Sequence, residues 1–287
     1  MSVHRAMRGF LGPRDIFRNP EAIFRYFQGP KDKDETPFDL VLSHSGDDFA
    51  VMGMHFKLGL YEHQSAGAIH GVLELIAKNS SQFLSNWKSI SNIKIIAYEP
   101  AFGIIGNPEK RNPKTRQSAD HSMVFIISRI IKKALKLGSS TIDSIYKSEG
   151  LDGLWKKLIL TPHDYSPEAL LDAETKEIIS KITFEHGGKE FDSRYPEGIP
   201  TQIVISSPSG TFDSGLVMFP GGHAKNTANN LNGILENKFL TLGEIATGDR
   251  VKAAALVKKL TDLSKKSASE IQDLYYFDIA DQRCIDG

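Results

Sequence analysis

The chain has 287 residues, 40% hydrophobic and 24% charged, and its 35 Lys and Arg side chains balance 35 Asp and Glu side chains. This is an ordinary globular composition, long enough for one large or two medium domains with hydrophobic cores. The formal net charge of zero excludes a general electrostatic attraction to nucleic acid or membrane surfaces, so a charged partner must be met by a local patch.

Cysteine usage and hydropathy exclude further classes. The single cysteine, Cys284, allows no disulfide within the chain and favours a reducing compartment. It also excludes an iron–sulfur cluster or a cysteine-based zinc site built from these residues alone. The longest apolar runs, such as V-F-I-I at 124–127, are too short to span a membrane.

The first hundred residues predict short helices, a hairpin, a longer helix and a strand. A charged segment bounded by prolines, at 29–37, predicts a linker between the short helices and the hairpin. Ser65 is a plausible cap for the longer helix. The predicted elements are helices 3–9 and 20–27, strands 38–44 and 49–57, helix 65–79 and strand 93–98.

A basic loop, R-N-P-K-T-R at 111–116, leads into a predicted helix over 118–138. Helical spacing puts Asp120 on the buried stripe, where it needs a partner. Asp120, His121 and Ser122 form no catalytic triad there, because neighbouring residues of a helix point in different directions. Instead, the free N–H groups of the first turn, with Arg116 upstream, predict a site for a carboxylate. The alternative is a purely structural helix start.

The rest of the chain predicts mixed structure followed by helices. The sequence therefore indicates an α+β module flanked by helical segments. The predicted elements are helices 140–148 and 166–178, strands 180–185, 201–206 and 213–219, and helices 226–237, 250–263 and 267–275.

Three side chains outside the loop are further candidates. Lys57 ends a predicted strand among apolar residues, where partial desolvation would make it a usable acid or base; the alternative is a lysine that reaches water. His63 precedes a helix and faces either a ligand or solvent. His223 lies in the turn F-P-G-G-H, which lacks the spacing of the known nucleotide-binding loops.

Several stretches, in this order and rough spacing, resemble the 2-methylcitrate dehydratase (MmgE/PrpD) family. They are H-F-K-L-G-L-Y-E-H-Q-S-A (55–66), N-P-K-T-R-Q-S-A-D-H-S-M (112–123), L-T-P-H-D-Y-S-P-E-A-L (160–170), S-R-Y-P-E-G-I-P-T (193–201) and F-P-G-G-H (219–223). The likeness extends over almost the whole chain.

The resemblance implies a fold and an activity. Residues 57–219 would form an α+β lid, while 1–56 and 220–287 would belong to an all-helical domain. The implied reaction is the elimination of water from 2-methylcitrate in propionate catabolism, without metal or cofactor. We expect a homodimer that acts on a small tricarboxylate and binds no nucleic acid or membrane. Its expected location is the cytoplasm or the mitochondrial matrix.

The resemblance also implies roles for residues. Lys57 matches the family's active-site lysine, and His63 falls near a family histidine, although the spacing is one residue shorter. Both are expected to be catalytic. The residues expected to bind substrate are Arg116, Asp120, His121, Ser122 and His223.

Two departures from the family pattern matter. A-K-N-T follows F-P-G-G-H where relatives have arginines, and the family's N-terminal helical half, with its acidic motif and further histidines, is not in this sequence. We therefore expect weak or no activity unless that half is supplied. Two alternatives stay open: a cis-aconitate decarboxylase-like enzyme, and a truncated homologue that acts as a binding or dimerisation module.

Overall fold

The computed structural model describes residues 2–12, 53–277 and 279. The chain divides into two compact units, 1–52 and 53–287. In the first, the predicted N-terminal helix is confirmed as α1 (Ser2–Met7). The helix predicted at 20–27, the linker at 29–37, the strand at 38–44 and the start of the strand at 49–57 lie outside the described residues.

The second unit contains a four-stranded mixed sheet. Its strands are β1 (Asn92–Ala97), β2 (Ile182–His186), β3 (Thr201–Ser207) and β4 (Gly210–Val217). The order is β2-β1-β3-β4, with β1 parallel to β2 and antiparallel to β3, and β3–β4 an antiparallel hairpin. Alternate residues of β1 are buried, as expected for a strand with one face on the core. The strands predicted at 93–98, 180–185, 201–206 and 213–219 are confirmed within a few residues.

Helices make up most of the remainder. They are α2 (Ala66–Lys78), α3 (Ser80–Ser85), α4 (Arg116–Asp120), α5 (Met123–Leu137), α6 (Ser139–Leu158), α7 (Pro167–Leu171), α8 (Ala173–Lys181), α9 (Gly188–Asp192), α10 (Leu231–Thr247), α11 (Arg250–Leu260) and α12 (Ala268–Gln272). A π-helical turn (Pro100–Ile105) follows β1. The predicted combination of helices and a sheet is confirmed, and none of the helices described is long and apolar enough to cross a membrane.

Helix α2 is the centre of the core. It packs on the sheet at Gly67, where an added Cβ would lie 2.4 Å from the hydroxyl of Thr201. Because the backbone of α2 comes this close to β3, only glycine fits there. Buried residues of α5 and the end of α6 complete the same core, among them Ile127 and Trp155.

The helix predicted over 118–138 is wrong at its start, because the chain forms two helices. Thr115 and Ser118 form a capping box that starts α4, and α4 ends at Asp120. Ser122 then caps α5, whose predicted stripe is buried. Asp120 consequently leaves that stripe, and its side chain is 36% exposed. The capping serine and threonine, which compete with the helical backbone, break the predicted helix.

Two other predictions need correction. No strand forms in the described part of 49–57, because residues 54–58 run irregularly and Phe56 donates its N–H to the carbonyl of Gly222 (2.8 Å) instead of entering a strand ladder. The helix predicted to start at 226 starts at Leu231, since Asp152 holds Asn229 and the main chain of Asn230 in a loop.

Candidate functional site

A short 3-10 turn, His63–Ser65, leads into α2 and carries the first predicted site residue. Glu62 caps this turn: its carboxylate accepts the N–H of Gln64 (2.5 Å) and the hydroxyl of Ser65 (3.2 Å). Ser65, predicted as the cap of α2, makes no side-chain capping bond to that helix. The half-buried His63 is therefore fixed at the start of the turn.

Three imidazoles, His55, His63 and His223, meet beside this turn and form what we call the histidine cluster. The ring centroids of His55 and His223 are 3.7 Å apart, and those of His55 and His63 are 5.5 Å apart. His55 and His63 belong to one short segment and His223 to a distant one, so the cluster exists only in the folded chain.

His223 is the buried member and has no free ring nitrogen. Its Nδ1 accepts the N–H of Lys225 (3.0 Å), so the proton resides on Nε2, which donates to the carbonyl of Glu197 (3.0 Å). Burial, followed by the proximity of His55, lowers the pKa of His223 to about 4. The predicted substrate ligand is thus a neutral imidazole engaged in holding its loop.

His55 and His63 retain more freedom. Burial lowers the pKa of His55, and its Nδ1 is buried without a hydrogen-bond partner. Burial, then His55 and Lys57, lowers the pKa of His63. At neutral pH both rings are therefore uncharged and able to accept a proton.

Lys57 lies next to the cluster but is not desolvated as expected. Its side chain is exposed, because the segment that carries it is irregular, and among the described residues it makes no hydrogen bond or ion pair. Its carbonyl accepts from the ammonium group of Lys238 (2.5 Å), whose pKa is lowered by burial and by Lys57.

The positive charge of this region comes from Lys57 and Lys238, because the imidazoles beside them are uncharged at neutral pH. Within the described part of the chain, no carboxylate forms an ion pair with His55, His63 or Lys57. The same residues contain no group of three or more His, Cys, Asp or Glu side chains placed to hold a metal ion. The ammonium groups of Lys57 and Lys238 are therefore the groups of this region that can attract an anion.

The Asp120–His121–Ser122 triplet separates into three different environments. The carboxylate of Asp120 contacts Nδ1 of His121, whose side chain is 57% exposed. Ser122 is fully buried, donates to the carbonyl of Lys110 (2.6 Å) and caps α5. His121 is therefore accessible and oriented by Asp120, whereas the Ser122 hydroxyl is engaged structurally.

The basic loop is flanked by two cavities. One, of about 470 Å³, includes Arg116, Lys114 and Tyr165 in its lining. The other, of about 560 Å³, includes His121, Lys110 and again Lys114. By contrast, the guanidinium group of Arg111 bonds two main-chain carbonyls near the start of β2 and serves the fold.

Glu62 connects the histidine cluster to the basic loop. Its main-chain N–H donates to the carbonyl of Asp120 (3.0 Å), so His63 and His121 each stand one residue from this bond. The structure thereby brings Lys57, His63, Asp120 and His121 into one neighbourhood.

The sequence alone did not identify His55, Glu62 or Lys238 as site residues. His55 carried a signal, since it stands two residues before Lys57, but its partner His223 is distant in sequence. Glu62 directly precedes His63, and only its burial distinguishes it from a surface acid.

Comparison with protein-family models and with curated protein sequences gives no match for this chain. Membership of the 2-methylcitrate dehydratase family therefore stays a prediction that rests on the stretches quoted above.

Proposed function

We propose that this chain binds a di- or tricarboxylate at the histidine cluster and the basic loop, and that it acts as a hydro-lyase of the 2-methylcitrate dehydratase type. The observation that carries the proposal is the convergence of His55, His63, Lys57 and Lys238 with no carboxylate paired to the first three in the described residues. A citrate-like anion can pair with the two ammonium groups and accept hydrogen bonds from the neighbouring side chains.

The chemistry of water elimination fits the side chains present. The reaction needs a base for the C–H proton, an acid for the departing hydroxyl group, and cations for the carboxylates. His63, with its lowered pKa, is uncharged at neutral pH and suits the base. The ammonium group of Lys57 can donate a proton to the hydroxyl or bind a carboxylate.

The second set of groups suits the far end of such a substrate. Arg116 and Lys114 line the cavity of about 470 Å³ beside the basic loop, and His121 is exposed beside Asp120. A guanidinium group binds a carboxylate through two parallel hydrogen bonds, which fixes orientation as well as affinity. Asp120 acts here by orienting His121, and Ser122 and His223 act by holding the backbone of the site.

The proposal includes the domain arrangement and the dimer that the 2-methylcitrate dehydratase resemblance implies. Residues 57–219 would be the lid, the flanking segments would belong to a helical domain, and two copies would associate. Light scattering would measure the mass in solution: twice the chain mass supports this part of the proposal, and the mass of one chain contradicts it.

Incubation with 2-methylcitrate tests the activity. The conjugated product, 2-methyl-cis-aconitate, is followed by its ultraviolet absorbance, and cis-aconitate is offered in parallel with detection of released CO2. From this chain alone we expect at most weak formation of the former product, lost in Lys57→Ala and retained in the matched surface variant Lys147→Ala. Release of CO2 would favour the decarboxylase, whereas binding of both acids with no turnover would favour a binding module.

A further inference from the structure

Glu62 is a buried carboxyl group that the proposed chemistry does not use. The residue is only 7% exposed, yet its two carboxylate oxygens take up the N–H of Gln64 and the hydroxyl of Ser65. Its own N–H is bonded to Asp120 (3.0 Å). All three bonds serve the turn that carries His63 or connect that turn to His121.

No neighbouring charge fully offsets the free-energy cost of burying the Glu62 carboxylate among the described residues. The charged or titratable groups that face this carboxyl are Tyr61, Tyr98, Lys110 and His121, and none of them forms an ion pair with it in the described residues. The hydroxyl of Tyr98 is buried nearby without a hydrogen-bond partner. Burial raises the pKa of Glu62 despite its hydrogen bonds.

A carboxylate in this setting weakens the fold at neutral pH. Because its pKa is higher in the folded than in the unfolded chain, the stabilisation is present below the unfolded pKa and is lost as the pH rises through the folded pKa. A buried carboxyl group with a raised pKa, close to histidines with lowered pKa values, is typical of functional sites.

We propose that Glu62 is a positioning residue: its carboxylate caps the His63–Ser65 turn and thereby holds the His63 ring against His55 and beside Lys57, while its main-chain bond to Asp120 keeps this turn in register with His121. The significance for catalysis rests on the proposed function, but the positioning itself does not.

The experiment follows the His63 ring by NMR in the full chain. Glu62→Ala removes the cap, so His63 should leave the cluster and its pKa should rise toward 6.5, its ordinary value. Glu62→Gln and Glu62→Asp keep an oxygen able to accept the N–H of Gln64, so the low pKa should persist. Asp172→Ala is the matched control, since it removes a carboxylate that caps α8 without touching His63.

A merely structural role predicts a different pattern. In that case Glu62→Ala would lower the free energy of unfolding about as much as Asp172→Ala does, and neither would move the His63 titration. An unchanged His63 titration in Glu62→Ala overturns the proposal. If Glu62→Ala does not fold, Ser65→Ala removes one of the two capping bonds, and a His63 titration unmoved in that variant counts against the proposal in the same way.

A measurement of citrate binding distinguishes a failure of this proposal from a failure of the proposed function. In Glu62→Ala the affinity should fall roughly tenfold, as for a lost charge-assisted contact. If the wild-type chain binds no citrate but the His63 titration shifts as expected, Glu62 positions His63 and the proposed function fails. If the wild-type chain binds citrate and neither the affinity nor the titration changes in Glu62→Ala, the function stands and the role of Glu62 fails.

Discussion

At the scale of single residues, the candidate site consists of imidazoles kept uncharged by their neighbours. Burial is the first cause for His55, His63 and His223, and mutual proximity adds to it for the last two. Each of these groups binds its proton more readily in the unfolded chain. The cluster therefore makes the fold sensitive to acid.

The clearest consequence concerns His223. Its pKa is about 4 in the folded protein against 6.5 ordinarily, so the free energy of unfolding should fall as the pH drops from 6.5 toward 4. That gap corresponds to roughly 3 kcal/mol. Urea unfolding across this range should show a shallower fall for His223→Gln than for the wild-type chain.

The control for this prediction is His163→Gln, at an exposed histidine. It should reproduce the wild-type pH dependence. Glu62 opposes the histidines, because its raised pKa adds stability as the pH falls, whereas His55 and His63 still contribute a fall in His223→Gln. An equal fall in wild-type and His223→Gln proteins would contradict the assignment.

Sequence reasoning found the reactive residue types but not their environments. Lys57 was expected to be desolvated from its apolar neighbours in sequence, yet it is exposed because its segment forms no strand. His55 becomes a site residue only through its contact with His223. Burial and contacts between distant residues depend on the tertiary fold, which a single sequence does not specify.

At the scale of elements, the site depends on how the turn 219–223 meets the segment before Lys57. Phe56 bonds the carbonyl of Gly222, and Gly221 donates its N–H to Nδ1 of the buried His70 (3.1 Å). His70 therefore attaches this turn to α2. The connection sets the distance between His55 and His223.

Gly222→Ala tests this connection. Gly222 has a φ of +90°, and an added Cβ would lie 2.1 Å from the carbonyl oxygen of Phe56. We expect a loss of roughly 3–4 kcal/mol in the free energy of unfolding, because the backbone must move. Gly188→Ala has a positive φ but open space around the Cβ, and should lose only about 1–2 kcal/mol. Equal losses would show that the contact does not matter.

A second element-scale prediction concerns Asp164, which joins the turn after α6 to α5. Its buried carboxylate accepts from Arg129 (3.3 Å) and Lys133 (3.0 Å), and it closes a capping box with Thr161. Asp164→Asn leaves these cations without their counter-charge, so we expect roughly 3 kcal/mol lower stability by chemical denaturation.

The matched variant for Asp164 is Glu177→Gln. Glu177 is an exposed carboxylate on α8, and no hydrogen bond or ion pair involves its side chain among the described residues. The variant should unfold like the wild-type chain. A loss in Glu177→Gln as large as that in Asp164→Asn would remove the special role of the buried network.

Periodicity predicted the elements better than it predicted their ends. The stripe of α5 was readable because apolar spacing reports directly on the buried face. The break between α4 and α5 was not predicted. Thr115, Ser118 and Ser122 are the residues that could have indicated it, but serine and threonine also occur within helices and so give an ambiguous signal. Capping bonds decided the outcome.

At the scale of the whole molecule, a formally neutral chain carries a local positive region. The attraction for a polycarboxylate should therefore be short-ranged, and added salt should screen it at exposed groups such as Lys57. Raising NaCl from ~20 to ~200 mM should weaken citrate binding several-fold. Calorimetric titrations at these two concentrations check this, and an affinity independent of salt would contradict an electrostatic site.

The central claim is that one polycarboxylate binds Lys57 and the basic loop together. Calorimetric titration with citrate measures this most directly, in the wild-type chain and in Lys57→Ala, Arg116→Ala and the surface control Lys147→Ala. We predict one binding event per chain, weakened roughly 10- to 100-fold by either site substitution and unchanged by the control. Wild-type affinity in both Lys57→Ala and Arg116→Ala, or no binding to the wild-type chain, would contradict the account.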